Sequence, residues 1–569
     1  MKIKKLLKRS QLLRTLVERY RLYSRIPSKQ SVVGKNTNVT LPFYGIRSPP
    51  ADVLFATSAG GNLAALNLEP ILSAALSLRG VRVQVLLCDG QLPACLLCTI
   101  DRYPNERKFS ESGPDKSFCN DCFSRAAALY EALNIKVVKY SELLTHENRE
   151  TARLLAEQVR EEDIRALTID GVAIGEHALA GALRFYATAA LIDRFAPLVL
   201  KRYVEASLLT AAVMERYITA TKCDCIVVDH GIYVPNGIIG ECARKHRTRV
   251  VNWHVAYRKN CFIFSHNDTY HHTLMTEPIS NWVEMPWSQR CDNDITKYLA
   301  SRWNGLNDWI KFNQAPREDA AQIVAELGLD ASRPIIGMLT NVMWDAQLHY
   351  PANAFESMLE WVIATIRYFE TRNDMQLVIR VHPAEVTGTL PSRQPLISEI
   401  NSQFASLPTN VRLVAPENTI SSYALMHVCN AALIYGTKMG VELSSVGIPT
   451  IVAGEAWIRN KGVTFDASTK EEYLGYLDRL PFADRLDRQV VDRARKYAYH
   501  FFMRRMIPLE CVSAQRGSPP FSPSVRKLND LIDASDRGLD VICNGIMTGS
   551  EFIYPAEIYS ATNSTGLGG

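Results

Sequence analysis

Twice along this chain, short β-rich runs alternate with helix-length segments, and that double alternation constrains the fold more than any other feature. A strand that leads into a helix and then a further strand packs back on its sheet as a parallel crossover. Each series therefore predicts an open parallel sheet with helices on both faces. The first series places strands at 53–57, 81–87, 135–138, 225–229 and 249–253, with helix-rich stretches at 176–190 and 197–221. Its first strand runs into a small-residue turn, Ser58-Ala-Gly-Gly-Asn62. The second series places strands at 334–339, 376–381, 411–414, 431–435 and 450–452. Helices are expected between them, at 353–371, 396–404, 421–427 and 439–446, and a helix start at Pro316.

The expected fold class is α/β, with two Rossmann-like doubly wound domains facing a cleft. The first domain spans 50–310 and the second 316–480. A charged helical run at 481–510 can cross back, and 511–569 reads as a tail of poor order near its end. Ligands of such sheets bind beyond the carboxyl ends of the strands, so the cleft is where chemistry is expected. A sequence of 569 residues, 47% hydrophobic, has material for two or three such cores.

Charge narrows the partners. The net charge is only +5, and much of it lies in the leader over 1–35, so bulk charge gives no support to nucleic-acid binding. In that leader Leu6, Leu7, Leu13, Val17 and Tyr20 can share one helical face. Two readings stay open: residues 1–26 lie on an anionic membrane, or the helix packs on its own protein. No apolar run reaches the roughly 18–20 residues a membrane span needs, and the basic start has no signal-peptide pattern. A cytoplasmic protein, peripheral on the inner face of the plasma membrane if the leader binds there, is the expectation.

In a cytoplasmic chain, thirteen cysteines argue for free thiols or metal ligands over disulfides. Cys95-Leu-Leu-Cys98 and Cys119-Asn-Asp-Cys122 have the spacing of two zinc knuckles, which predicts a closed, structural zinc clip within 88–122. The Pro- and charge-rich segment between them has little to build a core, and zinc binding, worth on the order of 10–16 kcal/mol, would compensate. An iron–sulfur cluster with nearby Cys88, or a redox dithiol pair, remains an alternative.

In the second half, Arg380-Val-His-Pro-Ala-Glu385 ends a predicted strand and brings His382 to the cleft beside Arg380. Next, Tyr435-Gly-Thr-Lys-Met-Gly-Val-Glu442 makes a strand–turn–helix start that suits a phosphate, with Lys438 in the turn and Glu442 placed to meet a ribose. Arg459 and Lys461 offer charge to a diphosphate. In the first half, Glu176, Asp170, Asp229 and His230 qualify by type as the base that takes an acceptor proton. Glu176 ranks first, although it serves equally as a helix cap. His254 reads as a satisfied core histidine, and His271 and His272 as surface residues.

Taken with Thr340-Asn-Val-Met-Trp-Asp-Ala346, Gly447-Ile-Pro-Thr450, Lys461-Gly-Val-Thr464, Asp229-His-Gly231 and Ser265-His-Asn-Asp-Thr-Tyr-His271, these motifs resemble bacterial capsule polysaccharide biosynthesis proteins. Those are GT-B glycosyltransferases related in design to Kdo-, sialyl- and polysialyltransferases. The resemblance spans about 50–480 and is firmer in the second domain. It implies that His382, with Thr437 and Ser444, holds the phosphate of a CMP-, UDP- or GDP-linked sugar. It further implies transfer, with inversion, to a polysaccharide or lipid-linked saccharide. Three rival readings share the architecture: a polyol-phosphate transferase, a sugar-nucleotide epimerase and a non-catalytic assembly factor. The cysteine quartet is not part of the family pattern.

Overall fold

The computed structural model describes residues 51–303, 307–309, 316–345 and 350–559. The leader over 1–35, with its proposed membrane surface at 1–26, lies outside them.

The chain builds two sheets. In the first, β1 (Asp52–Phe55), β2 (Arg82–Leu87), β3 (Lys136–Lys139), β4 (Cys225–Asp229) and β5 (Arg249–Val255) are parallel, and β6 (Cys261–His266) runs antiparallel beside β5. The second consists of β7 (Ile335–Leu339), β8 (Gln376–Arg380), β9 (Val411–Val414), β10 (Ala431–Ile434), β11 (Thr450–Val452) and β12 (Phe465–Asp466), all parallel. A short β13 (Ile507–Pro508) extends the edge of the first sheet beyond β6. The spatial orders are β3-β2-β1-β4-β5-β6-β13 and β9-β8-β7-β10-β11-β12. Counted within each domain, both are 3-2-1-4-5-6, the dinucleotide-fold order. Its switch point lies between the first and fourth strands. The strands beside the switch are buried on both faces, β4 and β7 along their whole length. That is why they read as continuous apolar runs and not as alternating ones.

Local chemistry fixes the elements around the cleft. Helix α1 (Leu63–Leu78) starts where Asn62 Oδ1 accepts the Ala64 and Ala65 amides at 3.1 and 3.2 Å. Gly60 lets α2 (Lys116–Ala132) approach this turn, since a Cβ there would sit 2.5 Å from the Cys122 carbonyl oxygen. The long helices α3 (Ile174–Tyr186) and α4 (Ala196–Ala220) pack together over the sheet. After β6 comes α5 (Tyr270–Thr276), capped by the Thr269 hydroxyl. The expected helix start at Pro316 is displaced: the helix is Ala320–Glu326, because Asp319 accepts the Gln322 amide and makes the better cap.

In the second domain α6 (Met439–Ser445) follows β10, and α7 (Arg488–Tyr499) leads through a π turn at His500–Arg504 back to the first domain. Along this path the two domains share one core, in which Trp282 and Ile295 meet Leu443, Trp457, Tyr497 and Phe501. The stretch read as a tail is structured over 511–559. Helix α8 (Arg537–Thr548) buries Leu539, Ile542 and Ile546, and Phe552 follows, all in one core with Phe262 and Phe264. Polar composition concealed an apolar face at helical spacing. Residues 560–569 lie outside the description. Among the described residues no helix is long and apolar enough to cross a membrane.

Candidate functional site

Both switch points open onto one cleft of about 930 Å³ between the domains. Its first-domain wall carries Asn62, Asp229, His230 and His254; its second-domain wall carries Thr340, His382, Thr437 and Lys438.

On the first wall, Asp229 closes β4 and is 7% exposed. Its Oδ2 accepts from Asn62 Nδ2 at 2.8 Å, and its Oδ1 lies 3.2 Å from Nδ1 of His254. Burial raises the Asp229 carboxyl, but His254, His230 and Asn62 together hold it below the ordinary range. His254 sits one residue past the Trp253 that pairs with Asp229, and its side chain is 36% exposed. The ring of Tyr270 stacks on it at 5.5 Å, and His230 meets it edge-on at 4.9 Å. His230 is driven down to about 4, first by burial and then by the His254 charge. It holds φ +65°, and the following Gly231 holds +78°, where a Cβ would meet Asn252 Oδ1 at 2.3 Å.

On the second wall, the His382 amide donates to Thr340 Oγ1 at 3.1 Å, and His382 Nδ1 accepts the Ala384 amide at 3.0 Å. Its proton therefore resides on Nε2. Burial, then the charges of Lys438 and Arg380, push the imidazole down to about 3, so it works as a neutral donor. Lys438 lies over the Tyr257 ring at 4.9 Å and 3.8 Å from Glu442. Burial and the Arg302 charge lower its ammonium to about 8.

Several of the expected site residues have partners within the protein. Glu442 is 4% exposed, and its Oε2 accepts from Arg302 Nε at 3.0 Å and Tyr423 Oη at 2.8 Å, so a buried ion network holds it. Arg380 gives its guanidinium to the carbonyls of Val381, Ala415 and Asn418. Lys461, 1% exposed, donates at 3.0 Å to the carbonyls of Leu274 and Met275 in α5 and thereby ties the domains together. Ser444 is wholly buried. At the start of the seven-residue α6, Thr437 Oγ1 accepts the Met439 amide at 3.3 Å. Asp170 is exposed in a turn at φ +49°, and Glu176 opens α3; neither lines the cleft. His271, read as a surface residue, lines it with Tyr270 and Trp457. His272 lies behind, between Asp268 at 3.3 Å and Glu455 at 3.5 Å.

The cysteine quartet converges from two elements. Cys95 and Cys98 share a side-chain hydrogen bond, and Cys119 and Cys122 on α2 both sense Cys95. All four thiols are free. Among the described residues, however, no group of three or more His, Cys, Asp or Glu side chains is arranged to hold a metal ion. The zinc clip expected from the spacing is therefore not seen.

Fold and cleft together define a two-domain α/β protein whose paired Rossmann-like sheets face each other across an inter-domain site. No family model matches the chain, and no curated protein matches it. Solved structures of similar design include KpsC, a beta-Kdo 2,4 transferase of Thermosulfurimonas dismutans: 10% identity, 54% of this chain, 87% of that chain, TM-score 0.33. SnogD, a glycosyltransferase of Streptomyces nogalater, matches at 14% identity over 80% and 96% of the two chains, TM-score 0.23. MnaA of S. aureus with UDP matches at 10% identity over 79% and 92%, TM-score 0.27. Likeness at this level carries no argument about chemistry, which is read from the cleft alone.

Proposed function

We propose that the protein is a glycosyltransferase that moves a sugar from a nucleotide-activated donor to a saccharide acceptor of the surface-polysaccharide type, with inversion. One observation carries the reading. Two switch points of the same strand order face one cleft, and the second wall bears neutral and cationic hydrogen-bond donors while the first bears acceptors. Ligands favour the crevice outside the strand ends at such points. The donor diphosphate or phosphate lies against His382, Thr437 and Lys438, where Nε2–H and the ammonium stabilise charge on the departing oxygen. Arg380, Glu442 and Lys461 support this wall from behind. The acceptor hydroxyl enters from the Asn62–Asp229 side.

The experiment is a binding screen of CMP, UDP and GDP and their sugars by calorimetry, on the full chain and on His382→Ala. One nucleotide class binds, and His382→Ala loses it. If no nucleotide binds, the reading falls. Incubation of the donor alone leaves the configuration of its sugar ring unchanged apart from cleavage by water at the anomeric carbon; a nucleotide sugar epimerised elsewhere on the ring makes the protein an epimerase. Structural zinc at Cys95, Cys98, Cys119 and Cys122 is a proposal carried by spacing alone. Metal analysis supports it with about one zinc per chain and removes it with iron or none.

A further inference from the structure

The reading above leaves the proton acceptor open and gives no role to His254, which stands against Asp229 in the cleft. We infer that His254, paired with Asp229, takes the acceptor's proton, and that the buried Glu69 positions the pair; this rests on the transferase reading and deepens it.

Three observations meet at the pair. First, His254 is the half-exposed end of a hydrogen-bonded chain inside the cleft: Asn62 donates to Asp229 Oδ2 at 2.8 Å, and Asp229 Oδ1 stands 3.2 Å from His254 Nδ1. With the proton on Nδ1 shared with the carboxylate, the lone pair resides on Nε2. Second, the ring is held by stacked Tyr270, 11° from parallel, and by edge-on His230. Third, one carboxyl ties together the strand ends that bear the pair. Glu69, on α1 and 1% exposed, accepts at Oε1 from Thr57 Oγ1 at 2.5 Å and from Trp253 Nε1 at 2.9 Å. Thr57 Oγ1 in turn accepts the Asp229 amide at 2.8 Å. Thr57 follows β1, Asp229 ends β4 and Trp253 precedes His254 on β5, so Glu69 sets the register of all three.

The step balances without a further reactant. The acceptor hydroxyl oxygen forms its bond to the anomeric carbon while the bond from that carbon to the phosphate oxygen breaks. The electron pair leaves on the phosphate oxygen, and the hydroxyl proton passes to His254 Nε2. Asp229 stabilises the imidazolium that results. Asp170 and Glu176, outside the cleft, take no part.

The test uses the full chain and the sugar nucleotide of whichever of CMP, UDP or GDP binds, with release of free nucleotide to water as the turnover assay. His254→Ala is expected to lose about 10²–10⁴-fold in kcat, the range of positioned acid–base catalysis, with nucleotide Kd within about twofold of the parent and with partial rescue by added imidazole. Asp229→Asn follows in kcat. Glu69→Gln keeps the Oε1 acceptor and retains turnover within a few fold, whereas Glu69→Leu loses tenfold or more in kcat with KM little changed. If His254→Ala binds nucleotide and turns over like the parent, the pair is not the base and only this inference falls. If the substitution unfolds the chain, His254→Gln and the Asp229→Asn profile decide in the same way. A parent chain that binds none of the three nucleotides removes the transferase reading and this inference together.

Discussion

The two walls of the cleft stand on the same strand order, yet their chemistry is opposite. The first wall presents a carboxylate and a partly exposed imidazole, Asp229 and His254, 3.2 Å apart. The second presents His382, held neutral with Nδ1 occupied, and Lys438 inside a buried cluster. A scaffold repeated twice therefore fixes where groups stand, while the few residues after each strand decide what they do. Loss of the buried ion pairs behind the second wall should act on stability, whereas substitution of His254 on the first should act on turnover.

The largest expected effect tests that asymmetry. Arg302, with a side chain 2% exposed, meets Glu442, Asp308 and Tyr298 Oη at the base of the second wall. Arg302→Ala takes the nearest cation from Glu442 and Asp308, leaving Glu442 to Lys438 at 3.8 Å, and should cost about 3 kcal/mol, read from urea or thermal unfolding. A cost below about 1 kcal/mol would make this cluster a surface-like pair and dissolve the contrast. Next comes His382→Ala, which removes one donor from the departing phosphate and should lower turnover about 10²–10³-fold. Steady-state kinetics with the donor found in the screen check this; an unchanged rate moves the phosphate elsewhere.

The third prediction concerns pH. Lys438 faces Arg302, Glu442, Asp308, Tyr257 and His382, and its ammonium is held down to about 8 by burial first and by Arg302 second. It is cationic below that value and neutral above it. Nucleotide affinity should therefore be full at pH 7 and fall as pH rises through about 8, by up to about tenfold per 1.4 kcal/mol lost. His382, titrating near 3, and His230, near 4, contribute nothing in this window. Calorimetry from pH 6.5 to 9.5 measures the slope. Lys438→Arg should hold affinity to the upper end, and a flat parent profile would remove Lys438 from the phosphate site.

Much of the fold was legible because strand ends and turns announce themselves through local chemistry. The runs at 225–228 and 377–379 are continuously apolar because helices cover both faces, and Asn62 advertises a helix start. The site was legible only in part. His382 and Asp229 were found because they close apolar runs, the position that faces a crevice. His254 obeys the same rule at the end of the next strand, and pairing β4 with β5 in register would have put it beside Asp229. Its lone occurrence on an apolar strand favoured a core reading. Glu69 could not be seen from sequence, since its partners Thr57 and Trp253 lie 12 and 184 residues away. Nor could the loss of Glu442 and Lys461 to internal partners, because a charged residue beside a turn looks the same whether it faces a ligand or Arg302.

The smallest effect completes the contrast. Ser444 lies in the motif that suggested a phosphate partner, but it is fully buried in α6 and its Oγ has no hydrogen-bond partner among the described residues. Ser444→Ala removes a hydroxyl that makes no contact with the cleft. It should leave nucleotide affinity unchanged and shift stability by less than about 1 kcal/mol, in the stabilising direction, because the desolvated hydroxyl costs energy where it stands. Thr437→Val, three residues past β10 and on the cleft lining, should instead weaken binding severalfold. Equal losses from both substitutions would mean that α6 turns its far face toward the ligand, and the second wall would have to be redrawn.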